Sequence, residues 1–323
     1  MTALSRREFG RIVAAGIPLV AIARATNVAA LSPVTVGVST SSFRDLRRLP
    51  GLPSVDEVVR ALRRVRETDV ELALSDVEPA PPSTASFLGG TPAYPRRVVF
   101  TPEEVASIKD EARRNLREWR AQVEPAYFRD VAAKFTAAGM TLLSCALEYD
   151  ASFTDDEIEA TFRQVKALGA STISSPMTME TARRLVPFAT RHDVAVAIHN
   201  QLDGNAAGLI ATPDLSDALA LSPAFRLKLD IGNLTASNQD AVAALDRHAA
   251  RVSHVLVKDR LRNGGASQHY GEGDTPIAAV LDRLKASSHR IPAVVEVDYV
   301  GLYSSVDEVA ASMSYVAHAA ASD

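Results

Sequence analysis

Four short apolar runs in this sequence end in side chains that can exchange a proton: Ile198-His199-Asn200, Leu229-Asp230, Val257-Lys258-Asp259 and Val295-Glu296. The clearest is Phe225-Arg226-Leu227-Lys228-Leu229-Asp230-Ile231-Gly232-Asn233. Its alternating apolar residues read as a buried strand, Asp230 stands at the exit, and a helix-breaking Gly follows at once. An imidazole, an amine and carboxylates are groups used in general acid and base catalysis. A side chain at a strand exit points into whatever cavity the strand ends surround, so these distant runs can build one site.

Such convergence needs a scaffold of repeated strands, and from residue 34 the chain alternates strands and helices. Strand-like runs fall at 34–39, 70–74, 140–147, 171–175, 194–198, 225–230, 252–257 and 293–297. Helical spacing recurs between them. Ser54 is placed to cap a helix carrying Val55, Val58, Val59, Leu62 and Val65, and Thr154-Asp155-Asp156-Glu157 opens another as a capping box. A charged helical region spans 102–138, interrupted near Pro125; its densest charge run, 111–120, reads as a solvated face with Trp119 tucked inward. The Pro-rich segment 78–102 reads as one long loop. The pairs Gly89-Gly90 and Gly264-Gly265 read as loop hinges, not as phosphate cradles.

The 323 residues, 47% hydrophobic and 23% charged, suffice for one large α/β domain. A net charge of −4 gives nucleic acid and anionic membranes no electrostatic encouragement. Cys145 is the single cysteine and lies in an apolar run, which predicts a buried structural thiol. At the start, Ser5-Arg6-Arg7-Glu8-Phe9 precedes an apolar stretch over 12–23 and the small residues Val28-Ala29-Ala30. This pattern resembles a twin-arginine export signal, with an amphipathic start or a membrane anchor as the alternative, although the apolar stretch falls short of the roughly 20 residues that span a bilayer. The expected organisation is therefore a signal peptide over 1–30 and one domain over 31–323, located in the periplasm or outside the cell. Cleavage after Ala30 would remove four arginines and one glutamate, taking the charge from −4 to −7.

Eight strands with helices between them can close as a (β/α)8 TIM barrel. A doubly wound open sheet is the other architecture that fits the count. Polar residues at the C-terminal ends of strands three, five, six, seven and eight favour the barrel, because barrel enzymes build their sites there. With Val70-Glu71-Leu72, Val77-Glu78-Pro79, Arg260 and Gly271-Glu272-Gly273-Asp274-Thr275-Pro276 added to the four runs, the chain resembles the xylose isomerase-like barrels of the sugar phosphate isomerase/epimerase family. The resemblance implies a divalent metal, commonly Mn, Zn or Co, at the barrel mouth. It also implies removal of a proton beside a sugar carbonyl, with the ion stabilising the enediolate. His199, Asp230 and Glu296 are the implied ligands, being imidazole and carboxylate groups that suit such an ion. Asp230 could instead cap the next helix.

The sequence also departs from the family. Its fifth strand ends in His199 where better-known epimerases carry a Glu, Gln201 stands where a second His is usual, and Asn233 replaces another His. Leu256 occupies the place of the seventh-strand ligand His, although a shift in register could bring His254 there. An ion held weakly, or lost, is equally compatible with this inventory. Proton transfer then falls to Lys258 if its pKa is lowered, or to Glu148 or Glu272; Lys258 could otherwise polarise a sugar oxygen, or simply pair with Asp259 in solvent. Asn200, Asn233 and His269 are the candidates for binding sugar, while Glu272 and Asp274 could merely cap the helix near Pro276.

The leading expectation is an exported, metal-assisted enzyme that enolises a sugar or keto-sugar, ending in isomerisation or epimerisation. A lyase or hydratase acting on 3-keto-glycosides by β-elimination starts with the same proton abstraction and is the rival. A degenerate barrel that binds carbohydrate or a protein without turnover is the non-enzyme alternative. A small carbohydrate is the expected partner, with no nucleic acid and no membrane after signal cleavage; the sequence leaves a homo-oligomer open. A DNA-repair endonuclease fits poorly, lacking a basic surface.

Overall fold

The computed structural model describes residues 34–84, 87–91 and 94–321, so the expected signal peptide lies outside the described residues. Eight parallel strands form a closed barrel: β1 (Val36–Ser39), β2 (Asp69–Ala73), β3 (Thr141–Ala146), β4 (Thr172–Ser175), β5 (Ala195–His199), β6 (Phe225–Asp230), β7 (Val252–Val257) and β8 (Ala293–Val295). The last strand pairs back onto the first, Val36 opposite Ala293, so the sheet keeps no edge. That closure decides between the barrel and the open sheet.

Helices separate the strands: α1 (Val55–Val65), α2 (Pro102–Gln122), α3 (Pro125–Ala137), α4 (Asp155–Ala167), α5 (Met179–His192), α6 (Leu215–Ala220), α7 (Ile231–Ala236), α8 (Ala241–His248), α9 (Ile277–Ala286) and α10 (Ser305–Ala321). Their apolar faces bury against the outer surface of the barrel, where Phe128, Phe135, Phe162, Leu185 and Phe225 are almost wholly excluded from water. Cys145 is among these buried groups, and burial, followed by the nearby Glu71 charge, pushes its thiol well above the ordinary range. It is structural, as expected.

Three local expectations need correction. The Pro-rich loop contains an antiparallel hairpin, Phe87–Thr91 with Tyr94–Val98, in which Gly89 and Gly90 face Arg96 and Pro95 within the ladder and are not hinges. Ser54 does not cap α1 through its side chain; its hydroxyl donates instead to Asp76 Oδ1 at 2.8 Å. The arginines of α2 are not simply solvated. Arg113 and Arg117 reach Glu157 at 2.6 and 3.0 Å, while buried Arg120 grips Glu78 at 2.6 and 2.9 Å. They pin α2 to the start of α4, whose capping box at Thr154 and Glu157 forms as predicted. Trp119 does turn inward, edge-on to Tyr127 and Phe128.

Candidate active site

Alternate residues of each strand point into the barrel, and here two layers of that interior are charged. The lower layer centres on Glu71 of β2, which is fully buried. It pairs with Lys228 of β6, accepts the Ser144 and Ser174 hydroxyls at 3.0 and 2.8 Å, and lies 2.9 Å from His254 Nε2. Burial alone would raise the Glu71 pKa, but Lys228 and His254 bring it well below the usual value. His254 is thus committed to the interior beneath the mouth. The pairing Lys228 with His254 and Asp230 with Leu256 also shows that no register shift brings it up to the site.

The upper layer sits at the C-terminal mouth. Asp230 ends β6 and does two jobs with its two oxygens. Oδ1 accepts the Asn233 amide at 2.9 Å and caps α7, while Oδ2 lies 3.0 Å from His199 Nε2 and 3.3 Å from Lys258 Nζ. The helix-cap reading and the site reading are therefore both realised. Lys258, one residue past β7, also reaches Glu296 Oε2 at 3.0 Å and Asp298 Oδ2 at 3.2 Å. Its stem runs so close to α7 that a Cβ on Gly232 would stand 2.8 Å from Lys258 Cβ, so glycine is required there.

Charge and burial fix the protonation pattern. Burial would lower the Lys258 pKa, but Asp230, Glu296 and Asp298 reverse this and raise it well above the ordinary amine value. The expectation of Lys258 as a base with a lowered pKa is therefore corrected, and so is its pairing with Asp259. That carboxylate turns away to accept the Gly271, Gly273 and Thr275 amides at 2.7, 3.0 and 3.2 Å. Burial pushes the Asp230 carboxyl upward, yet Lys258 and His199 outweigh it and hold it well below the carboxylate range. His199 is lowered, first by burial and then by the Lys228 and Lys258 charges, against the pull of Asp230. A neutral imidazole facing an ionised carboxylate carries its proton on Nε2, which leaves the Nδ1 lone pair as the basic position.

Of the expected residues, the structure brings His199, Asp230, Lys258 and Glu296 together. Asn200 and Asn233 are buried beside them but spend their amides on the backbone. Asn200 holds Asp230 O and N at 3.1 and 2.8 Å, while Asn233 donates to Asn200 O at 3.0 Å and accepts from Arg260 at 2.7 Å. Both amides thus hold the backbone around Asp230. His269 lies on the loop after β7, 3.1 Å from Glu308 and packed on Tyr299 with ring centroids 4.6 Å apart. Glu148 and Glu272 are exposed and join none of the bonds of this cluster. Asp298 was missed in the sequence, although it shares strand parity with Glu296 and follows it by two residues.

The implied metal ligands do not surround an open position. The point on which Asp230, Glu296 and Asp298 converge is filled by the Lys258 ammonium, and His199 spends its Nε2 on Asp230. Among the described residues no group of three or more His, Cys, Asp or Glu side chains is arranged to hold a metal ion. As arranged, these residues do not fit one.

No family model matches the sequence, and no curated protein does either. Solved structures share the fold. A xylose isomerase domain protein from Alicyclobacillus acidocaldarius is 14% identical with a TM-score of 0.57, covering 89% of this chain and 100% of that one. The IolI protein with a bound zinc atom is 11% identical with a TM-score of 0.58, covering 87% and 96%. An L-ribulose 3-epimerase is 12% identical with a TM-score of 0.57, covering 88% and 93%. The likeness is one of fold, and it runs through nearly the whole length of each of these proteins.

Proposed function

We propose that this chain is a sugar-modifying enzyme that removes a proton from the carbon beside a carbonyl of a sugar or keto-sugar and completes an isomerisation or epimerisation. The observation that carries this reading is His199 Nε2, 3.0 Å from Asp230 Oδ2, beside Lys258 Nζ, 3.3 Å from the same oxygen at the barrel mouth. Fold neighbours named as a xylose isomerase domain protein and an L-ribulose 3-epimerase support it.

In this reading His199 Nδ1 takes the proton from carbon, the C–H electron pair becomes a carbon–carbon double bond, and the carbonyl π pair moves onto oxygen to give an enediolate. Of the three carboxylates on Lys258, Asp298 is the most accessible, with 19% of its side chain exposed against 11% for Glu296 and none for Asp230. A substrate oxygen displacing Asp298 meets an ammonium in a dry site, where electrostatic stabilisation of developing charge is strongest. Glu296, ionised against the same ammonium, carries the hydroxyl proton between the neighbouring oxygens in isomerisation, or takes a proton from solvent and delivers it as the acid in epimerisation while His199 keeps the one it abstracted. Return to the adjacent carbon isomerises the sugar, and delivery to the opposite face of the same carbon epimerises it.

A second reading is favoured by the chemical asymmetry of the pair. One imidazole and one carboxylate, in place of two matched carboxylates, suit abstraction by the first and protonation of a departing oxygen by the second, which is β-elimination from a 3-keto-glycoside. In both readings the partner is a small carbohydrate. The paired arginines of the N-terminus support export to the periplasm or beyond, which cell fractionation of the full chain tests. Among the described residues no helix is long and apolar enough to cross a membrane.

The deciding experiment is a screen of aldoses, ketoses and oxidised glycosides in deuterated water. Wild-type protein is expected to place solvent deuterium in substrate or product, and His199→Ala to abolish it. Sugar binding without any deuterium exchange would overturn the enzyme reading in favour of a carbohydrate-binding barrel.

A further inference from the structure

At the mouth three carboxylates, Asp230, Glu296 and Asp298, share a single ammonium, at distances of 3.3, 3.0 and 3.2 Å. Asp298 Oδ1 is buried and has no hydrogen-bond partner. His199 Nε2 aims at the same Asp230 oxygen that Lys258 holds. Acidic charge therefore exceeds basic charge here, around a point already taken by one cation. We propose that Lys258 is a built-in cation standing where a divalent ion would otherwise sit, and that its removal turns this cluster into a divalent-metal site formed by His199, Asp230, Glu296 and Asp298.

The donor set has the right chemistry for that exchange. One imidazole nitrogen and three carboxylates suit Zn or Mn, and four protein donors are enough for a closed tetrahedral site. The carboxylate oxygens stand at ion-pair distances from Nζ and would have to close by about 1 Å to reach the metal–oxygen lengths of roughly 2.0–2.2 Å. The partly exposed Glu296 and Asp298 are the members free to make that move. With Lys258 present they do not make it. Its ammonium is held by three carboxylates at 3.0 to 3.3 Å, so a second cation would meet it directly. The protein thus supplies the cation of its mouth as a side chain, whose charge cannot be removed by a chelator.

The test reads bound metal, and so stands apart from any catalysed reaction. Wild type and Lys258→Ala are purified without chelator, analysed for metal, and titrated with Zn and with Mn after EDTA treatment. Thermal melting is followed with and without each ion. Wild type is expected to retain no stoichiometric ion and to melt identically in EDTA and in metal. Lys258→Ala is expected to take up about one ion per chain, to melt higher in metal than in EDTA, and to lose both properties when His199→Ala is added. Lys258→Met, which keeps the stem, serves as a second host if the alanine variant does not fold. One ion bound by wild type and released by Asp230→Asn overturns the proposal, as does a folded Lys258 variant that binds no ion. One ion bound by wild type overturns the proposal whatever the variants do.

Discussion

The lower and upper layers of the barrel interior are built from the same kinds of residue and end in opposite conditions. Around Glu71 one carboxylate faces two basic side chains and two hydroxyls, and none of the five is more than 5% exposed. Around Lys258 one ammonium faces three carboxylates, and the side chains of Glu296, Asp298 and His199 remain 11, 19 and 12% exposed. The first arrangement is closed to solvent and its carboxylate is paired with Lys228 and His254, so it holds strands β2, β3, β4, β6 and β7 together. The second carries surplus acid, an orphaned oxygen and access to solvent. A carboxylate matched by bases and shut from solvent marks structure, whereas surplus acid beside solvent marks a place for something else to bind.

Variants can break that comparison. The largest expected effect is on turnover. His199→Ala should lower it by about 10²–10⁴-fold, the usual contribution of a positioned base, while urea unfolding stays close to wild type. Glu71→Ala should do the reverse in kind. Removing one member of a buried charge pair leaves Lys228 uncompensated, which destabilises by about 3–5 kcal/mol, read as a lower urea midpoint. Equal losses of stability from the two substitutions would erase the distinction between the layers.

A pH series sharpens the contrast next. Because the folded His199 pKa lies below its ordinary 6.5, the unfolded chain binds the extra proton first as pH falls. The contribution of His199 to stability is therefore complete above about pH 6.5 and declines as pH drops toward the depressed folded value. The acidic limb of kcat/KM should fall in that same lower range, and a limb centred above 6.5 would contradict a neutral His199. The smallest effect belongs outside both layers: Glu148→Gln and Glu272→Gln should change stability by no more than about 0.5 kcal/mol, the ordinary span for exposed positions. Their deuterium exchange should match wild type.

The barrel was legible because its strands announce themselves locally. Each is a short apolar run, and the polar residue at the exit of β5 or β6 told which end carries the site. The convergence of His199, Asp230, Lys258 and Glu296 was legible for the same reason. What these residues do to one another was not. Lys258 is adjacent to Asp259 in sequence, yet Asp259 is claimed by the Gly271, Gly273 and Thr275 amides, and the acids that bind Lys258 come from β6 and the residues after β8. Glu71 gave no local signal beyond sitting in Val70-Glu71-Leu72, since its partners Lys228 and His254 lie 157 residues and further along the chain. That Asn200 and Asn233 hold the backbone was not legible either, since nothing in sequence shows which side-chain amides the main chain claims.

One consequence follows from the divided carboxylate of Asp230. Its Oδ1 bond to the Asn233 amide is a main-chain reporter of whatever happens to Oδ2. Any occupant that pulls this side chain off axis must loosen the first turn of α7, so a single nuclear magnetic resonance signal, the Asn233 N–H cross-peak, would register arrival of a ligand before any product accumulates.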